Sequence, residues 1–86
     1  REWDVMAVVE DCRDGFIYCE QRNKFFKGDT LESLEPGKKP QSFVVTELFD
    51  ENGEPTDSTP RAMMKFKIRS DLKFVPGTIL RKQNIK

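Results

Sequence analysis

Apolar and polar residues alternate along this chain in short stretches and do not recur at helical spacing. Trp3, Val5, Ala7 and Val9 interleave with Asp4, Met6, Val8 and Glu10, which predicts a strand with one apolar and one mixed face. Asp14-Gly15 supplies the positive φ that a tight hairpin needs, and Phe16-Ile17-Tyr18-Cys19-Glu20 returns as its second strand. Gly28-Asp29 opens a third strand, Thr30-Leu31-Glu32-Ser33-Leu34, which Pro36-Gly37 closes. Residues 41–49 are β-branched and aromatic rich and predict a fourth strand that stops at Asp50-Glu51-Asn52-Gly53. Residues 50–60 hold Asn52-Gly53, Pro55, Ser58 and Pro60 and no large apolar group, the composition of a solvated loop. Beyond it Ala62, Met64, Phe66 and Ile68 fall on one face, with Arg61, Met63, Lys65, Lys67 and Arg69 on the other. Pro76-Gly77 then turns the chain into a last strand, Thr78-Ile79-Leu80-Arg81-Lys82, before a polar tail.

Six short strands joined by tight connections predict an all-β domain. An open sheet would expose two reactive edges, whereas a small closed or nearly closed six-stranded β-barrel removes them and gathers every apolar stripe on one axis. A six-stranded sandwich is the second architecture. The inward set expected for the barrel is Val5, Ala7, Val9, Phe16, Tyr18, Leu31, Phe43, Val45, Met64, Phe66, Ile68 and Leu80.

At 86 residues the chain has room for one domain and one small core. Seven Phe, one Trp and one Tyr supply the aromatic mass for it. No apolar run reaches the roughly 20 residues of a membrane-spanning helix, and Arg1-Glu2-Trp3-Asp4 is neither an initiator Met nor a signal peptide, so the chain is expected to be an excised piece of a longer protein.

Composition narrows the chemistry. The sequence has no histidine, which removes Ser-His and Cys-His nucleophile pairs and histidine-assisted acid–base work. Cys12 and Cys19 lack the second pair that a zinc site needs, and two cysteines in a Lys- and Glu-rich chain fit a reducing cytoplasm, with reduced thiols favoured over a hairpin disulfide. No catalytic residue, metal or cofactor is expected. Fifteen basic residues balance fifteen acidic ones, but unevenly. Residues 1–60 hold 7 basic and 14 acidic side chains, and residues 61–86 hold 8 and 1. Lys65, Lys67 and Arg69 share one strand face at spacings of about 7 Å, and Arg81 and Lys82 are placed to widen the stripe. Clustered cations of this kind suit a nucleic-acid backbone or another anionic partner. A solvated stripe, or one paired with acidic neighbours, is the plainer reading. The dense patch from Gln21 to Asp29, with Phe25 and Phe26 among Arg22, Lys24 and Lys27, either stacks bases or, as the plainer reading, caps a barrel end, with Asn23 and Gly28 serving the turn.

The run Gln21-Arg22-Asn23-Lys24-Phe25-Phe26-Lys27-Gly28-Asp29-Thr30-Leu31-Glu32, followed by Pro36, resembles the C-terminal domain of peptidase family U32, the collagenase-like peptidases. The Asp50-Glu51-Asn52-Gly53-Glu54 turn and the Leu80-Arg81-Lys82 ending agree, and the similarity runs from about Val5 to Lys82. The resemblance implies a β-barrel accessory domain, similar to those of translation elongation factors, attached to a larger catalytic domain that this chain lacks. Arg22, Asn23, Phe25, Gly28, Asp29, Glu32 and Pro36 are the motif positions, expected to be structural. Pro60-Arg61-Ala62-Met63-Met64 departs from the more polar strand start of many relatives.

Family members are described as peptidases, while some resemble proteins that support hydroxylation of tRNA or rRNA bases. Three readings follow for this non-catalytic domain. It recognises a protein or peptide substrate or docks on the parent's catalytic domain; it binds tRNA or rRNA; or it is a purely structural adaptor. No membrane partner is expected.

Overall fold

The computed structural model describes residues 2–59 and 61–84. Pro60, the end of the expected loop, lies outside the described residues. The chain forms β1 (Glu2–Arg13), β2 (Phe16–Gln21), β3 (Thr30–Leu34), β4 (Gln41–Val44), β5 (Leu48–Phe49), β6 (Lys65–Arg69) and β7 (Ile79–Asn84). All pair antiparallel in one sheet of order β4-β3-β7-β1-β2-β6-β5, curled into a half-barrel around the core. The all-β barrel-like class expected from the alternation is the class observed.

Among the described residues there are seven strands and not six, because the stretch expected as one strand over residues 41–49 breaks in the middle. Val45 is buried and exchanges bonds with the β2–β3 connection: its N–H donates to the Asp29 carbonyl (2.9 Å) and its carbonyl accepts the Gly28 N–H (2.7 Å). Gly28 reaches that carbonyl with φ +96, a conformation an L side chain rarely adopts. β6 starts four residues later than the alternation suggests. Residues 61–64 form a turn, Met63 sits at φ 68, and Ala62, expected inward, is exposed.

The two-residue turn after β1 is as expected, with Asp14 at φ 54 and Gly15 at φ 79, the pair of positive angles that matches strand twist. The faces of the hairpin are not. Directly opposed residues share a face, and Val9, buried, opposes Cys19, so Ile17, Cys19 and Gln21 point inward. Phe16 and Tyr18, expected in the core, therefore point out. Two bulges on β1 break the simple period. A register shift between Val9 and Asp11 turns Cys12 toward the core opposite Ile17. A shift between Val5 and Ala7 buries both Met6 and Ala7 and leaves Val5, also expected inward, on the outside with Trp3, at 38% and 40% exposure.

Ala7, Val9, Leu31, Val45, Phe66, Ile68 and Leu80 are buried as expected, and Phe43 packs on the core's edge. Phe25, Leu48 and Phe74 complete it. Each such side chain contributes about 1.5 to 3 kcal/mol. Residues 50–59 are more than a solvated loop, since Phe49 bridges Pro55, Phe26 bridges Ser58, and Thr59 is buried. Cys12 and Cys19 are free thiols; burial pushes the Cys19 thiol up, which leaves it protonated and inert at neutral pH.

Buried polar groups are mostly satisfied. Ser33 Oγ accepts the Gln41 N–H (3.1 Å), Glu35 accepts the Val75 N–H (2.8 Å), and Thr78 Oγ1 donates to the Val75 carbonyl (2.7 Å). Gln21 is the exception: its Oε1 has no hydrogen-bond partner among the described residues, although the residue is buried on the inner face of β2. Removing that unsatisfied acceptor with a side chain of similar shape is favourable. Gln21→Met is expected to raise stability by about 1 kcal/mol, read as a higher urea midpoint with an unchanged slope; a lower midpoint would mean that the amide is bonded in solution.

Candidate functional site

With Phe66 and Ile68 inward, Lys65, Lys67 and Arg69 emerge together on the outer face of β6, as their spacing predicts. Their neighbours come from β2 and β5. Glu20 opposes Lys65, Tyr18 and Phe49 flank Lys67, and Phe16 opposes Arg69. The face has two unlike halves.

At one end Lys65 is committed to carboxylates. Its ammonium pairs with Glu10 and lies 3.2 Å from Glu20 Oε2, and those two hydrogen bonds raise its pKa. The Glu20 carboxyl is held below its ordinary value, first by Arg22 and then by Lys65. At the other end the cations lie on rings. The Lys67 ammonium is 4.2 Å from the Phe16 ring centre, with Tyr18 at 5.6 Å and Phe49 at 5.9 Å. The Arg69 guanidinium is 4.3 Å from the Phe16 ring and 3.7 Å from Glu47 Oε2. Arg13 covers Tyr18 at 4.0 Å while pairing with Asp11, whose carboxyl that pairing lowers. Phe16 meets Phe49 edge to face at 5.6 Å and Tyr18 at 6.2 Å. Among the described residues Lys67 has no carboxylate within ion-pair distance.

Arg13, Phe16, Tyr18 and Phe49 were not legible as members of this face. β2 is apolar on both parities, so the rings and the Ile17 and Cys19 pair compete for the core on sequence alone. The opposition of Val9 to Cys19 settles the choice.

Arg81 and Lys82 do not widen the stripe. β1 and β2 separate β7 from β6, and the two residues point to opposite sides of β7. Arg81 pairs with Glu32 and stacks on Trp3 at 3.9 Å. Lys82 lies 3.1 Å from Asp29 Oδ2.

The motif residues tie separate segments together. Asn23 Nδ2 donates to the Val5 carbonyl (2.7 Å) beside the β1 bulge, and the Arg22 N–H to the Met6 carbonyl (2.8 Å). Phe25 is fully buried and sits edge to face on Phe66 at 5.4 Å. Its N–H donates to Thr59 Oγ1 (3.0 Å) and its carbonyl accepts the Thr59 N–H (3.0 Å). Asp29 Oδ2 accepts the Phe26 N–H (2.8 Å). Pro36 lies in an exposed turn. Phe26, in contrast to Phe25, is 52% exposed, with the Lys24 ammonium 5.7 Å above its ring. No group of three or more His, Cys, Asp or Glu among the described residues could hold a metal ion.

Residues 1–81 match the peptidase family U32 C-terminal domain, and the chain belongs to that family. It superimposes with a TM-score of 0.79 and 25% identity on the crystal structure of the C-terminal domain of a Geobacillus thermoleovorans protein classed as a U32 peptidase, covering 93% of each chain. The selenomethionine variant of that domain gives 0.78 and 26%, covering 95% of this chain and 100% of the other. Those solved chains consist of the C-terminal domain alone, so a domain of this fold stands by itself. Similarity also extends to the tRNA hydroxylation protein P1 of Bacillus subtilis (strain 168), 28% identical over 78 residues, which are 91% of this chain and 18% of that protein. The chain thus spans under a fifth of the length of that relative.

Proposed function

We propose that the chain is the non-catalytic C-terminal module of a larger cytoplasmic U32 protein and that it positions an RNA substrate for the rest of that protein. The observation that carries the reading is the outward half of the β2-β6-β5 face, where Lys67, Arg69 and Arg13 overlie Phe16, Tyr18 and Phe49. Cations beside ring faces are the combination by which proteins hold phosphates and stack unpaired bases without reading sequence. Similarity to a tRNA hydroxylation protein supports RNA over peptide as the substrate. Lys67 is the centre of this face, because Lys65, Arg81 and Lys82 are each paired with a carboxylate of the same domain, as are Arg13 with Asp11 and Arg69, more loosely, with Glu47.

Binding of the isolated domain to a tRNA, followed by fluorescence anisotropy at several salt concentrations, tests the reading. Affinity is expected to fall steeply with salt, and Lys67→Glu combined with Arg69→Glu to weaken it roughly tenfold and to flatten the salt slope by about two. Binding that ignores salt, or that the double variant leaves unchanged, overturns it.

A further inference from the structure

Across Glu20 from the cation and ring face, the outer side of the same sheet continues over β1, β7 and β3 as a second surface. Across these strands Val8 opposes Ile79, which opposes Leu34, and Val5 opposes Arg81, which opposes Glu32. Trp3 opposes Gln83 in the next row. Opposed residues share a face, so Trp3, Val5, Val8, Ile79 and Leu34 form one apolar patch crossed by the Arg81 and Glu32 pair. Three of them are well exposed: Trp3 at 40%, Val5 at 38% and Leu34 at 37%. A groove of about 300 Å3 runs beside Trp3, lined in part by Thr30, Glu32, Ser42 and Gln83.

The patch is arranged to be covered. It contains the chain's one tryptophan, held in place by a guanidinium stacked at 3.9 Å and itself neutralised by Glu32. A tryptophan and an arginine already ordered within an apolar surface, with their charge compensated, lose little freedom when a partner desolvates them. The bulge between Val5 and Ala7 is what turns Trp3 and Val5 outward; unbroken alternation would have buried Val5 with Ala7.

The geometry points to an occupant: the part of the parent protein that precedes this domain. The family is by description a C-terminal domain, and the corresponding region is 18% of the Bacillus relative, so most of such a protein adjoins the amino end of this fold. That end is β1, whose first residues include Trp3 and Val5, so the patch lies beside the junction. A neighbouring domain tethered there meets this face at high effective concentration, and apolar contact with a tryptophan anchor needs only modest area to hold. We infer that the Trp3, Val5 and Leu34 face seats the preceding domain of the parent and fixes the orientation in which the cation and ring face is presented. The inference does not rest on RNA as the substrate.

Hydroxyl-radical footprinting with mass spectrometry, run on the full-length parent and on the isolated domain, tests it. Trp3 oxidation is expected to be at least about fivefold slower in the full-length protein, as for a side chain taken out of water, while Tyr18 oxidises equally in both. Leu34→Lys, on an exposed position that leaves the domain folded, is expected to restore Trp3 oxidation in the full-length protein. Equal Trp3 oxidation in the two wild-type proteins overturns the inference. Protection that appears only where light scattering reports a dimer assigns the face to a second copy and overturns it equally.

Discussion

Ile17→Asp is expected to leave the domain unfolded at any temperature, whereas Tyr18→Asp, one residue on, leaves it folded with a loss of about 1 kcal/mol. Ile17 is fully buried between Cys12 on β1 and Ile68 on β6. A carboxylate there would lose its water and gain no partner, a cost of several kcal/mol beyond the lost isoleucine contacts. A domain of 86 residues has roughly 4 to 13 kcal/mol to lose. Tyr18 lies on the outer face among Arg13 and Lys67, which would accept a carboxylate. Circular dichroism and amide chemical-shift dispersion of the two variants measure the contrast. The reverse outcome, with Ile17→Asp folded and Tyr18→Asp unfolded, would restore the hairpin frame in which Phe16 and Tyr18 form the core.

That contrast marks where sequence stops determining the fold. Strand positions and turns were legible because the signals are local: Asp14-Gly15 needs positive φ, Pro36-Gly37 cannot continue a ladder, and Phe66 and Ile68 alternate cleanly with charged residues. β6 accordingly has the faces its pattern predicts. β2 offers no such choice, since Phe16 and Tyr18 on one parity and Ile17 and Cys19 on the other are all apolar. The deciding fact is the register with β1, and β1 carries two bulges that leave no trace in composition. An error of one residue there exchanges the core for the surface.

The same limit applies to the site. Lys65, Lys67 and Arg69 could be placed on one face from spacing alone, but not what meets them, because the opposing Glu20, Tyr18 and Phe16 lie more than forty residues away in the chain. Strand order decided the rest. With β1 and β2 between β6 and β7, the basic carboxyl-terminal third is divided between two surfaces and is largely neutralised by the acidic first part of the chain: Glu10 and Glu20 at Lys65, Glu32 at Arg81, Asp29 at Lys82. The charge asymmetry read from sequence is thus chiefly an internal complement, and on the β6 face Lys67, which lies on rings and not on a carboxylate, is the cation available outward.

Phe25→Ala is expected to cost about 3 to 5 kcal/mol in urea unfolding and Phe26→Ala less than about 0.5 kcal/mol, although the two phenylalanines are adjacent in the family motif. Phe25 is wholly enclosed, braced on Phe66, and its backbone is clamped on both sides by Thr59, so its loss leaves a cavity that the surrounding strands cannot close. Phe26 is half in water, and its backbone contacts to Asp29 and Ser58 survive truncation. Equal losses for the two would show that residues 24–29 are not the clamp that joins β2, the β4 end and the segment before β6. The comparison also separates structural from surface roles. Through Phe25 any partner binding is lost only together with the fold, and stays in proportion to the folded fraction. Through Lys67, which touches nothing in the core, binding is lost from a domain whose urea midpoint is unchanged. If Phe25→Ala and Lys67→Glu weakened a partner by the same mechanism, both would shift unfolding, and the division of this barrel into a stabilising interior motif and a binding exterior would fail.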